Sequence, residues 1–270
     1  MPTKRHKRVS LNNNKGGAMK TALTLGLAES LAVKGHSVLV IDMDPQANAS
    51  RRLGVAFDPA DPQPTISEAI QKAEPGIAAQ VIKPCAWGGD YEDRIWVAPS
   101  RFDLENRISE ASVTGAVRRL DTVLDGADDD FDVVLVDCPP SLGHLTQLAF
   151  AAVGHALIAS APEYDDVEGA VRTRDFIDLQ AGNLYNPELT LLGVIVTRVR
   201  SNLGAHQHQL EGMPDTFGDS LWAPQIPERA VVKDANDAAV PIRTLRGGTD
   251  VTTLIDDHAL HLIQKLGIAA

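Results

Sequence analysis

Short strand-like runs recur along the first half of the chain, at residues 9–12, 37–41, Ile95–Ala98 and 133–136, and within the last three residues 38–41, Ile95–Ala98 and 133–136 are apolar at every position. Alternating strands with one wet face do not read this way. A run apolar on both faces suits the centre of a parallel sheet covered on both sides. Between these runs the period changes from two to near four. Residues 20–34 carry Leu23, Leu27 and Leu31 at helical spacing, and Gly35 ends the pattern. Thr65 and Glu68 form a capping-box pair that opens a helix over Ile66–Lys72.

The alternation continues to the end of the chain. Thr114 is placed to cap a helix reaching Leu124, residues 126–130 form an acidic turn, and the run 133–136 ends at Asp137. Helix 142–153, strand 156–160, helix 167–180 and strand 191–196 follow, and Thr249–Leu266 closes the chain as a helix. Residues 52–64 and 84–94 read as loop and surface insertion. This order predicts an α/β fold: a doubly wound, mainly parallel sheet with helices on both faces. Ligands in such sheets bind at the carboxyl ends of the strands.

Composition narrows the class. The chain has 270 residues, of which 44% are hydrophobic and only 4% aromatic, so Val, Ile, Leu and Ala must build the core. One domain over residues 9–270, preceded by a basic tail at 1–8, fits that length better than two domains. No apolar run is long enough to span a bilayer, and the N-terminus lacks the features of a signal peptide. Cys85 and Cys138 are the only cysteines, too few for a disulfide framework or a zinc site, so a cytoplasmic location is expected. The net charge of −11 weighs against nucleic acid as a partner, but DNA responds to a local patch rather than to the total.

The first strand end carries Asn14-Lys15-Gly16-Gly17-Ala18-Met19-Lys20-Thr21. Strand, glycine-containing loop and helix N-terminus together make an anion cradle of inward backbone N–H groups. In a phosphate loop Lys20 holds the β- and γ-phosphates, and the Thr21 hydroxyl ligates Mg²⁺. Asp42 and Asp137 end neighbouring strands, where they can hold that ion through water. Asp44 lies two residues beyond Asp42.

These segments resemble the deviant Walker motifs of the ParA/MinD superfamily. Lys-Gly-Gly-x-x-Lys-Thr matches the first motif. Residues 40–48, Val-Ile-Asp-Met-Asp-Pro-Gln-Ala-Asn, match the second acidic motif. Residues 133–141 match the Walker B and switch segment, and Ile226-Pro227 through Pro241-Ile242 matches a C-terminal Ile-Pro segment. The resemblance implies an ATPase of the ParA type that uses ATP and Mg²⁺. It gives Lys15, Lys20 and Asp44 catalytic roles, with Asp44 orienting or deprotonating water. Nucleotide contacts fall to Lys15, Gly16, Gly17, Ala18, Met19, Lys20, Thr21, Ala22, Arg198 and Pro227. Lys15 is expected to reach across an ATP-bound homodimer to the partner's phosphates. The bland alternative is that it touches only its own nucleotide or solvent. Position 19 departs from the motif, which has Gly before the lysine. Met fits there only if φ is negative and its side chain has room.

The resemblance further implies non-specific DNA as a partner, bound by C-terminal cations: Arg198, Arg200, Arg229, Lys233, Arg243 and Arg246. It also implies a ParB-like centromere-binding adaptor, nucleoid association and a slow, partner-stimulated turnover. The basic run 4–8 is a second candidate for DNA phosphates, or a solvated terminus. With the first strand starting at Val9 there is no space for an N-terminal helix-turn-helix, so operator-specific binding is not expected. His206, His208, His258 and His261 read as solvent-facing, with no ligand cluster around them. The alternatives are a relative that positions a protein cargo and a MinD-like membrane-cycling ATPase. Asp256 and Asp257 in the last helix disfavour an anionic membrane. A metabolic P-loop ligase lacks a lysine at position 15, and an iron–sulfur reductase needs cysteines that are not here.

Overall fold

Val38 and Val40 enter one core while Leu39 and Ile41 enter another. Val133 and Leu135 likewise part from Val134 and Val136. Successive side chains of a strand point to opposite faces, so an all-apolar strand needs a helical layer on each side. The computed structural model, which describes residues 4–269, supplies both layers.

The strands are β1 (Arg8–Asn12), β2 (Val38–Asp42), β3 (Lys83–Pro84), β4 (Ile95–Ala98), β5 (Val133–Asp137), β6 (His155–Ser160), β7 (Thr190–Val196) and β8 (Leu221–Trp222). They pair in the order β3-β4-β2-β5-β1-β6-β7-β8, and only β3 runs antiparallel to its neighbour. The predicted doubly wound sheet is thus the observed one. The helices are α1 (Lys20–Val33), α2 (Asn48–Arg52), α3 (Ile66–Lys72), α4 (Arg119–Leu124), α5 (His144–Ala152), α6 (Tyr164–Gln180), α7 (Gly204–Phe217), α8 (Ala230–Ala238) and α9 (Thr249–Leu266). Helices α1, α8 and α9 join the core on one face, and α3, α4 and α5 join the core on the other. A third cluster sits under α6 and α7.

Helix α1 is buried on almost every side, between the sheet and α9. Gly26 faces α9 across this contact, and a Cβ there would lie 2.8 Å from Ile255 Cδ1, so that side chain would have to shift. The apolar face of α9, including Ile255, Ala259, Leu262 and Leu266, is packed into this core. Among the described residues no helix is long and apolar enough to cross a membrane.

Several expectations need correcting. The capping box of α3 forms as read, but Thr114 caps nothing: Gly115, at φ +78°, leads a short 3-10 turn into α4. The basic run does not behave as a solvated tail over its described part. Residues Lys4–Lys7 form a 3-10 turn, and Arg8 already belongs to β1. The Arg8 guanidinium is 1% exposed and grips Asp128 through Nε at 2.6 Å and Nη2 at 2.9 Å. Arg5 and Arg8 share Asp121, and Lys7 donates to the carbonyls of Asp128 and Phe131. The acidic turn was thus a partner for the basic run, and these three cations are not free for DNA. Residues 1–3 of the expected tail lie outside the described residues.

The histidines also differ from expectation. His206 and His258 are buried. His206 Nδ1 accepts the Arg200 N–H, and His258 Nε2 bonds the Pro224 carbonyl. His261 stacks on Trp222, and His208 is the exposed one of the four.

Candidate functional site

The loop between β1 and α1 is fixed at both ends. Asn13 Nδ2 donates to the carbonyls of Ala159 and Asp166, and Thr197 Oγ1 donates to Ala18 O at 3.1 Å. Three neighbouring strand ends therefore hold one loop. Gly169 lets α6 come this close, because a Cβ there would lie 2.5 Å from Asn13 Oδ1.

A cleft of about 400 Å³ opens above the loop. Gly16, Gly17, Ala18, Met19, Lys20, Thr21 and Ala22 line it, facing Asp44, Gln46, Asn48, Arg52, Pro140 and Asn236. Lys20 is nearly buried and its Nζ donates to Lys15 O at 3.1 Å. Burial pulls the Lys20 pKa down, opposed by the charge of Asp137. A buried ammonium in a ring of backbone N–H groups is a site short of negative charge.

Negative charge is stored next to it. Asp42 and Asp137 are partners in register on β2 and β5, and both are wholly buried. Burial pushes both carboxyls up, and at Asp42 the Asp137 charge adds to the shift. Thr21 Oγ1 donates to Asp137 Oδ2 at 2.7 Å, and Thr24 Oγ1 donates to Oδ1 at 3.2 Å. Asp42 accepts from the N–H and hydroxyl of Ser50. A hydroxyl and two carboxylates kept ionised only at a cost are the hard-oxygen set that a small divalent cation such as Mg²⁺ prefers. The Asp44 N–H donates to Asp42 Oδ1 at 3.1 Å, and Asp44 Oδ1 accepts the Gln46 N–H at 2.9 Å.

Met19 contradicts its expected conformation. It takes φ +60° and ψ 23°, in the left-handed region, and its carbonyl accepts the Leu23 N–H as α1 begins. The loop keeps the backbone that glycine favours and forces methionine into it. Ala47 at φ +52° and Arg198 at φ +56° flank the same site. Strain of this kind persists only where surrounding structure over-determines it.

The remaining candidates separate. Lys15 lies outside the cleft lining and pairs with Asp165 of its own chain, Nζ to Oδ2 at 3.0 Å. That hydrogen bond pushes the Lys15 pKa up. Arg198 donates to Gly17 O at 3.0 Å and faces Glu163 and Glu228, so it belongs to the loop. Pro227 bridges to Val199 beside it. Arg200 pairs with Glu228 and joins Arg229 around a hollow of about 290 Å³. Lys233 and Arg246 are exposed. Arg243 is not free: it pairs with Asp256 and the buried Glu29, whose carboxylate also accepts the Ile242 and Arg243 N–H groups.

Gln46, Asn48, Arg52, Pro140 and Asn236 are cleft residues the sequence reading did not assign. Gln46 and Asn48 lay inside a quoted motif. Arg52 ends a five-residue helix, too short to leave a periodicity in the sequence.

Residues 6–191 match the model of a family described as the AAA domain. The chain is 30% identical over 236 residues to the chromosome partitioning protein ParA of Myxococcus xanthus, covering 87% of this chain and 80% of that one. It is 29% identical over 237 residues to the sporulation initiation inhibitor protein Soj of Bacillus subtilis, covering 87% and 89%. In three dimensions it is similar to Cyanothece McdA, solved as an ATP complex, with a TM-score of 0.83 at 22% identity over 98% of both chains.

Proposed function

The chain belongs to the AAA-domain family as a P-loop ATPase of the ParA/MinD type, and we propose that within it this protein is a DNA-partition ATPase. It hydrolyses ATP with Mg²⁺, dimerises when ATP is bound, binds non-specific DNA as the dimer, and acts with a ParB-like centromere-binding adaptor. The observation that carries the reading is one cleft holding the Lys20–Thr21 loop opposite Asp44, with Asp42 and Asp137 in register beneath.

Each residue has a physical task. The backbone N–H groups of residues 16–20 and the Lys20 ammonium receive the phosphates. Thr21, Asp42 and Asp137 would hold Mg²⁺. The ion supplies positive charge to the phosphate oxygens when bound. Asp44 has one oxygen engaged by Gln46 N–H, and the other is left to orient an attacking water. Arg198, which donates to Gly17 O, and Pro227 beside it contribute further nucleotide contacts. Phosphoryl transfer needs mainly positioning and charge stabilisation, so this short set suffices.

The DNA reading is favoured over membrane cycling because the apolar face of α9 is already packed on α1. A basic face for lipid is also missing from that helix, which exposes Asp257 as well as Lys265.

Hydrolysis assays with Mg²⁺ test the chemistry. Asp44→Ala should keep ATP binding and lose turnover by about a hundredfold or more. Wild-type turnover in that variant would remove Asp44 from the mechanism. Deleting the gene tests the biology. Faster loss of the replicon that carries it supports partition, while stable inheritance with a mislocalised protein assembly supports cargo positioning instead.

A further inference from the structure

Arg52 sits on the wall of the phosphate cleft without a partner. Its residue is half-buried at the end of α2, and Nε is fully enclosed with no hydrogen-bond acceptor. The other cations near the site are committed. Lys15 holds Asp165, Lys20 holds the loop carbonyl, and Arg198 holds Gly17 O and Glu228. The acids near Arg52 are committed as well, Asp42 to Ser50 and Asp137 to Thr21 and Thr24. Only longer-range attraction from Asp137, Asp237 and Asp42 reaches the guanidinium, and Arg51 repels it.

The backbone beneath it is firmly held. Trp87 Nε1 donates to Arg52 O at 2.7 Å, and Ser50, two residues earlier, is locked to Asp42. Such anchoring keeps the side chain on this wall. A half-buried guanidinium without an anion is unfavourable, and the surroundings recover that loss when an anion arrives. Its fork geometry suits two oxygens of one phosphate.

The position along the cleft selects the phosphate. Arg198 and Pro227 lie outside the cleft lining, where Arg198 donates to Gly17 O. Arg52 lines the same cleft as Thr21 and Asp44, the residues assigned to the metal and the attacking water.

We propose that Arg52 binds the terminal phosphate of the nucleoside triphosphate held in this cleft, from within the same chain. The inference rests on the ATPase reading above. When water attacks the terminal phosphorus and the bond to the β-phosphate oxygen breaks, Arg52 donates hydrogen bonds to the equatorial oxygens and transfers no proton. It adds a cis charge to whatever Lys15 supplies, and it makes this site distinguish triphosphate from diphosphate.

The test is equilibrium titration of wild type, Arg52→Ala and Arg52→Lys with AMPPNP and with ADP, each with Mg²⁺. A lost charge-assisted contact should weaken AMPPNP about ten- to hundredfold in Arg52→Ala. ADP affinity should stay within about twofold, which also shows that the variant is folded. Arg52→Lys should fall between, keeping the charge and losing the fork. An unchanged AMPPNP affinity, or equal losses for both nucleotides, overturns the proposal: the latter means Arg52 only holds α2 in place, near Asp237. If wild type binds neither nucleotide, the ATPase reading falls too.

Discussion

Lys15 and Asp165 form an ion pair within one chain, Nζ to Oδ2 at 3.0 Å. The lysine proposed to reach a partner's phosphates is thus held at the start of its own α6. Asp165→Ala removes this competitor. The pair is exposed on both sides, so the gain is small, a few-fold at most. Light scattering with AMPPNP should show Asp165→Ala dimerising at lower protein concentration than wild type. Lys15→Ala should bind nucleotide and stay monomeric. A Lys15→Ala protein that dimerises normally removes the trans role.

Met19 tests the loop backbone. Met19→Ala and Met19→Gly both delete the side chain and its packing, but only glycine relaxes φ +60°. The left-handed region costs an L-residue about 1–2 kcal/mol, offset in part by glycine's freedom in the unfolded chain. Urea denaturation should find the Gly variant more stable than the Ala variant by about 1 kcal/mol. Equal stabilities would mean that this loop relaxes to negative φ in solution.

The pair Arg8–Asp128 carries a larger effect. Both side chains are almost fully enclosed, and they are joined at two points. Arg8→Met leaves Asp128 buried without its cation and should cost about 3–5 kcal/mol, whereas Asp128→Ala should cost less, because Arg8 keeps Asp121. The double variant should recover most of that loss, since both charges are gone. Additive losses in a denaturation cycle would contradict the pairing.

What could be read in advance follows from how far each signal travels along the chain. The capping box of α3 is written within four residues, and strands β2 and β5 show in unbroken apolar runs. The phosphate loop, Asp42 and Asp137 were legible because motif and strand end coincide. Arg8 was not: its partner lies 120 positions away, and a basic run beside a terminus looks like a tail. Helix α7 contains Pro214 and many polar residues, so its helicity depends on packing under Met213 and Phe217. Strand β8 is two residues long and is placed by Trp222 lying against Gly193, where a Cβ would meet the indole at 2.1 Å. Residue preference alone points Met19 to negative φ, whereas the anchors at Asn13 and Thr197 hold the loop with Met19 at φ +60°.

The C-terminal cations divide into two groups, and this division tests the DNA proposal. Arg200, Arg229, Lys233 and Arg246 are exposed, whereas Arg243 ties Glu29 of α1 to Asp256 of α9. A monomer of net charge −11 offers DNA few contacts. The proposed ATP-bound dimer would offer two copies of the exposed group, and the salt dependence steepens with the number of phosphates neutralised, about −0.9 per contact in log–log form. DNA titrations at several salt concentrations should therefore show tight, sequence-insensitive binding with AMPPNP and weak binding with ADP. Arg200→Ala, Arg229→Ala, Lys233→Ala or Arg246→Ala should each lower the salt slope and leave thermal stability unchanged. Arg243→Ala should do the reverse: it lowers the melting temperature, because Glu29 stays buried without its cation, and the slope per folded molecule holds. Equal DNA affinity with AMPPNP and ADP would separate DNA from the nucleotide cycle. A slope unmoved by all four exposed variants would place the DNA-binding face elsewhere on the molecule.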